Sequence, residues 1–190
     1  MLCLLGEIVQ LNWEISEVEL AQWRSFVNLN KENDFVKDRE KRNISRSVVD
    51  LSKEMLWFVH VGCQVTTQQR SGPASAVSKF MNSDSKVLKY KECSVSPDKE
   101  SLIQTELSKA GLRRSSIIAK NLNEILNELD GDGWEYFIGL LKTIENETTK
   151  EKERKVAQYI ASKFSGLGLK QSRNYIQWLG LARYEIPIDS

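Results

Sequence analysis

Cysteine is scarce in this chain of 190 residues, and Cys3, Cys63 and Cys93 are odd in number with no paired ligand spacing. That arithmetic excludes a disulfide framework and points to a reducing, cytoplasmic setting. Long apolar runs are lacking as well. Met1-Leu-Cys-Leu-Leu5 is broken at once by Gly6 and Glu7, too short for the core of a signal peptide, and no later run approaches membrane length. No membrane partner is expected. An excess of one sign of charge is also missing. The chain has 27 Lys and Arg against 26 Asp and Glu, so its net charge of +1 does not by itself announce a nucleic-acid partner. Any such partner has to be argued from local clustering. Asn43-Ile-Ser45 and Asn146-Glu-Thr148 match the glycosylation pattern, an accident in the absence of a secretory signal.

What is present is helix. With 41% apolar residues, 190 residues can bury a real core. Ser52 is placed to cap a helix through Met55, Leu56, Val59 and Cys63 to the Thr66-Thr-Gln-Gln69 segment, stopped by Arg70-Ser-Gly-Pro73. Ala74 to Met81 reads as a short helix, and residues 82–96 as a polar, flexible connection. Pro97-Asp-Lys-Glu opens a helix that Gly111 stops, with proline in its first turn. Ile118, Leu122, Ile125 and Leu129 give the next, ending at Asp130-Gly-Asp-Gly133, and Trp134 to Ile144 another. Residues 1–30 mix Leu, Ile, Val, Trp13 and Trp23 in a pattern that does not decide between helix and strand, and are expected to form an arm packed on the body. Charge dominates from Asn30 to Arg46, a loop or an exposed helix. The division expected is 1–46, an arm and charged segment, and 47–190, the main domain. The fold class is all-α.

The last stretch is the most informative. Val156, Ala157, Ile160, Ala161 and Phe164 repeat at helical spacing behind a Thr148-x-x-Glu151 capping box. Then come Gly166-Leu-Gly168-Leu-Lys170, a second apolar face through Tyr175, Ile176, Trp178 and Leu179, and Gly180 as a C-cap. Over 149–180 this is a helix-hairpin-helix. The Gly-x-Gly turn exposes backbone N–H groups at a helix start, where unsatisfied donors and the dipole favour a phosphate. Lys150, Lys152, Arg154, Lys155, Lys163, Lys170, Arg173 and Arg183 supply cations, although the Lys150 to Lys155 run fits a solvated face of alternating charge.

With Ile188-Asp189 downstream, this stretch resembles the helix-hairpin-helix DNA glycosylases with a Gly/Pro-rich loop and a catalytic aspartate, the superfamily of endonuclease III and 8-oxoguanine glycosylase. Upstream, Cys63-Gln-Val-Thr-Thr-Gln-Gln-Arg70 is similar to that superfamily's Leu-Leu-Ser-x-Gln segment. The resemblance implies a two-lobed helical fold, a DNA groove between the lobes, Lys170 as nucleophile and Asp189 as essential carboxylate. It implies that Gln68, with Gln69 beside it, enters the space left by a flipped base. Gly166, Gly168, Arg70, Gln171 and Arg173 complete the expected DNA contacts. Some relatives hold a four-cysteine iron–sulfur cluster, which three scattered cysteines cannot supply. No cofactor and no metal are expected.

The implied chemistry needs a neutral lysine amine, which attacks C1′ of the flipped nucleoside and leaves an imine that permits β-elimination. Asp189 would stabilise the cationic sugar and take up the proton. The partner is duplex DNA carrying a damaged base or an abasic site, read by base flipping by a monomer. Oxidised guanine ranks first, since the Lys-to-Asp spacing looks like that branch, and oxidised pyrimidine second. Relatives continue past the aspartate into a helix that completes the first lobe, whereas this sequence stops at Ser190. The expectation is therefore a fold without its C-terminal helices. The alternatives are a non-catalytic helix-hairpin-helix module that holds DNA through phosphates, or an inactive truncated glycosylase. His60 reads as a packed or surface histidine and not a ligand, and Trp134 and Trp178 as core.

Overall fold

The apolar repeats noted above become buried helix faces. A computed structural model describes residues 14–45, 49–70, 72, 74–83, 88–145 and 147–185, and contains ten helices and no strand among them. No helix among the described residues is long and apolar enough to cross a membrane. The chain divides into two compact units, Met1–Glu40 and Lys41–Ser190.

The first unit holds α1 (Glu17–Asn30), and α2 (Asp34–Asn43) begins in it. Ser16 and Glu19 form a reciprocal capping box at the start of α1, and the Ser16 amide and hydroxyl hold the Glu19 carboxyl below its usual range. This helix buries none of its residues. Trp23 and Phe26 meet edge to face on its exposed surface. The charged segment is thus helical in α2.

In the second unit α3 (Lys53–Val65) runs through the core. From Leu56 onward it is buried nearly all round, which is why its sequence is apolar on every side. Ser52 caps it, accepting from the Met55 N–H as its sequence predicts. Around it stand α4 (Ala76–Met81), α5 (Tyr90–Val95), α6 (Lys99–Lys109), α7 (Ser115–Glu128), α8 (Gly133–Glu145), α9 (Lys150–Lys163) and α10 (Leu169–Trp178). Packing joins α6 to α7, α8 to α9, and α10 to both α9 and α3. Gly111 and Gly180 are left-handed at φ 70 and 75. Behind each, an N–H returns to the carbonyl five residues back, Leu112 to Leu107 and Leu181 to Ile176, so both predicted stops are Schellman caps.

Three local expectations need correction. The connection 82–96 contains α5, whose Cys93 is fully buried and whose approach is fixed by Trp57 Nε1 donating to the Leu88 carbonyl at 2.8 Å. Six residues are too few to show a period, so this helix is held by tertiary contacts. Pro97 precedes the helix instead of entering its first turn, because Asp98 is the N-cap, accepting from the Ser101 N–H. Likewise the cap of α9 is Thr149, accepting from the Lys152 N–H. Thr148 turns its hydroxyl to Glu153.

Candidate functional site

α9 ends at Lys163 and α10 begins at Leu169, with Phe164 to Gly168 making the turn between them. Leu167 is buried and pulls the turn onto the core. Gly166 is left-handed, and a Cβ there would lie 2.2 Å from Asn121 Nδ2 and 2.6 Å from Gln64 Oε1, so only glycine allows this approach. Gly168 is the N-cap of α10 with extended backbone, no side-chain cap and open space where a Cβ would project. Gly168 therefore offers no side chain to cap the start of α10, and a helix N-terminus of this kind suits an anion.

The turn is docked on the C-terminal end of α3. Gln64, almost fully buried, donates from Nε2 to the Ser165 carbonyl at 2.6 Å and accepts from Asn121 Nδ2 at 3.1 Å. Gln171 Nε2 donates to Thr67 Oγ1 at 3.0 Å across 104 residues of sequence. The Cys63 thiol reaches the Gln171 carbonyl at 3.7 Å. Burial pushes that thiol well above the usual cysteine range and Cys93 up to about 12, so neither is a nucleophile.

The predicted site residues now separate by role. Gln68 is exposed and left-handed at φ 55, an uncommon state for a side chain that large. Gln69 is a tie, donating to the Val65 carbonyl at 2.9 Å and accepting from the Arg113 N–H at 2.8 Å. Arg70 is exposed. The Gln171 side chain is spent on Thr67 and on Asn174, which donates to its Oε1, while its N–H belongs to the first turn of α10. Arg173 directs Nε onto Glu185 Oε2 at 2.6 Å. Lys170 is half-buried in the first turn of α10. Asp189, with Ile186 to Ile188, lies outside the described residues.

Sequence inspection missed Arg113 and Arg114, which the Gln69 bond brings beside the end of α3. A signal existed in the charge pattern. Residues 55–83, 107–123 and 154–184 contain twelve Lys and Arg and no Asp or Glu. The Gln64, Thr67 and Gln69 bonds tie these three stretches together. Residues 121–141 show the reverse, five acids and no base. They contribute Glu128 and Asp132 to a cleft of about 450 Å³ beside Tyr136, Tyr159 and Phe164. A nearly neutral chain thus keeps many of its cations in stretches free of acid, although Lys163 of the third stretch also lines this cleft and pairs with Glu128.

His60 is fully buried against Tyr175, Phe164 and Phe137, with ring centroids 4.5, 4.8 and 5.8 Å away, and both nitrogens lack a partner. It is the packed histidine expected, and desolvation lowers its pKa to about 3. Trp134 is buried, and Trp178 lies across Gly62.

No family model, no curated protein and no solved structure matches this chain.

Proposed function

We propose that the chain is a base-excision DNA glycosylase with abasic-site lyase activity, built on a helix-hairpin-helix. Its substrate is duplex DNA carrying an oxidised base, oxidised guanine first. The observation that carries this reading is the bond between Gln171 and Thr67. It makes Lys170 and Gln68 the chain neighbours of two bonded residues, although 102 positions separate them in sequence. In this reading the nucleophile and the base-gap filler come from distant parts of the sequence, with the glycine-led start of α10 suited to a phosphate.

In this reading the hairpin amides and the cation-rich stretches hold the backbone of the duplex, a sequence-independent grip. Gln68, exposed and held by its backbone in a left-handed turn, fills the gap after the base is extruded. The Lys170 amine then attacks C1′. The C1′–N bond to the base breaks and its electron pair leaves with the base; the attached amine loses a proton, and the C1′–O4′ bond then opens, its electron pair going to O4′, which takes up a proton, to give the imine that is the hallmark of the lyase. Asp189 is the proton acceptor.

Borohydride trapping tests this directly. Incubated with duplexes bearing an abasic site, 8-oxoguanine or an oxidised pyrimidine, the wild-type chain is expected to give a covalent protein–DNA adduct that Lys170→Gln abolishes. DNA binding without any adduct, unchanged in Lys170→Gln, would instead identify a non-catalytic hairpin module. That alternative draws on the same glycine-led start of α10.

A further inference from the structure

Among the described residues, three that are not glycine hold a left-handed backbone, Gln68 at φ 55, Leu88 at φ 67 and Arg114 at φ 61. Leu88 is buried, and its carbonyl accepts from Trp57 Nε1, so packing accounts for it. Gln68 is exposed and Arg114 half-buried, and no such packing accounts for them. One side chain brings these two together. Gln69 accepts from the Arg113 N–H at 2.8 Å and donates to the Val65 carbonyl at 2.9 Å, so each left-handed residue is one peptide from a bonded partner. This backbone is uncommon outside Gly, Asn and Asp, and an outlier kept near the surface points to a use for its side chain.

The same bond gathers charge. Arg70 follows Gln69, and Arg114 follows the bonded Arg113, so three guanidinium groups leave the backbone at or next to the bonded pair. None of the three forms an ion pair among the described residues. Other cations of the second unit do: Lys109 pairs with Glu106, Lys163 with Glu128, and Arg154 and Arg173 with Glu185. No Asp or Glu lies in residues 55–83 or 107–123 to neutralise the cluster. Like charges held together without a carboxylate repel one another, which an external anion relieves. The planar fork of a guanidinium matches the paired oxygens of a phosphate.

We propose that Arg113 and Arg114, with Arg70, grip the phosphates of duplex DNA beside the gap that Gln68 fills. This rests on the reading of Gln68 given above. Duplex DNA carries one negative charge per about 1.7 Å of its axis, so a side chain that enters the stack has phosphates close by. The arginines add grip and no preference for base sequence. Left-handed backbone at Gln68 and Arg114 fixes the direction in which each side chain leaves the chain, so less ordering is required when DNA binds.

Fluorescence anisotropy with a labelled abasic duplex, titrated from about 50 to 200 mM salt, is the test. Each of Arg70→Gln, Arg113→Gln and Arg114→Asn is expected to lower the slope of log affinity against log salt by about 0.9. Over that range each variant should then lose about 3.5-fold less affinity than wild type. An undamaged duplex of different sequence should show the same changes. Arg24→Gln, which removes an exposed arginine of α1, should leave the slope as it is and so controls for net charge. Asparagine tolerates left-handed backbone, so Arg114→Asn is expected to unfold in urea at the wild-type midpoint or above while its slope falls, a pair of results that a structural role would not give. Unchanged slopes in Arg113→Gln and Arg114→Asn, or an equal fall in Arg24→Gln, would overturn the proposal. Borohydride trapping by the wild-type chain separates the two readings. An adduct with unchanged slopes sinks the arginine contacts and spares the glycosylase, whereas lower slopes without an adduct spare the phosphate contacts and sink the glycosylase. A wild-type chain that does not bind duplex sinks both.

Discussion

Two regions of the second unit each shut a polar side chain away from water, and they do so by opposite means. Around Glu153, at the start of α9, donors are brought from Thr148 and from residues 183 to 185, so that both carboxylate oxygens are doubly bonded. Around His60, in the middle of α3, three aromatic rings close in and neither nitrogen finds a partner. Burying a polar group costs stability unless it is hydrogen-bonded, and burying a charge costs far more; the first region supplies the bonds, and the second holds its group neutral. The first uses the group to fasten distant segments together. The second uses it as a ring of suitable shape, and becomes vulnerable to protonation.

The contrast breaks hardest at Glu153. Glu153→Ala strands three backbone N–H groups and a hydroxyl, and the expected loss is about 3–5 kcal/mol, the upper range for a single substitution. Urea denaturation at pH 7 measures it, and a loss under about 1 kcal/mol would mean that water can replace the carboxylate. Gln64 is the intermediate case, buried but bonded by a side chain and one carbonyl. Gln64→Leu leaves the Ser165 carbonyl and the Asn121 amide without their partner and is expected to destabilise by about 2–3 kcal/mol. On the proposed glycosylase reading it should also weaken duplex binding, since the same bonds seat the turn between α9 and α10. A variant that is destabilised yet binds duplex as wild type would detach the hairpin's placement from Gln64.

How much of this was legible in the sequence follows from the range of the interactions. Ser52 as a cap and Gly111 and Gly180 as stops were readable, because each works within one helical turn. Helix faces were readable from repeats such as Val156, Ala157 and Ile160. The hairpin glycines were readable as a turn, whereas the reason Gly166 must be glycine lies in Asn121 and Gln64. Glu153 read as part of a solvated charged run, because its bonding partners at 183 to 185 lie about thirty residues away. α5 was missed for the same reason, being fixed by Glu54, which accepts from the Tyr90 N–H, and by Trp57. Gln69 and Gln171 read as groups offered to DNA, and the fold spends their side chains on Arg113 and Thr67. Which distant side chains meet was not visible in the sequence.

The smallest effect at neutral pH, and the sharpest test of the contrast, is at His60. Its folded-state pKa is lowered to about 3 from an ordinary 6.5, so the unfolded chain binds a proton that the folded chain refuses. Stability from this source is complete above pH 6.5 and is lost as pH falls toward 3, because over that window the unfolded state carries more protons. Between pH 7 and pH 5 the loss is expected to be about 2 kcal/mol. His60→Leu, close in volume, should change stability by less than about 1.5 kcal/mol at pH 7, since the lost ring contacts are offset by removing two unpartnered nitrogens. It should also flatten the wild-type difference between pH 7 and pH 5 by the same 2 kcal/mol. Denaturant midpoints for the two proteins at both pH values decide it. Parallel losses would place the acid sensitivity in another group and leave His60 as a ring that happens to carry nitrogens.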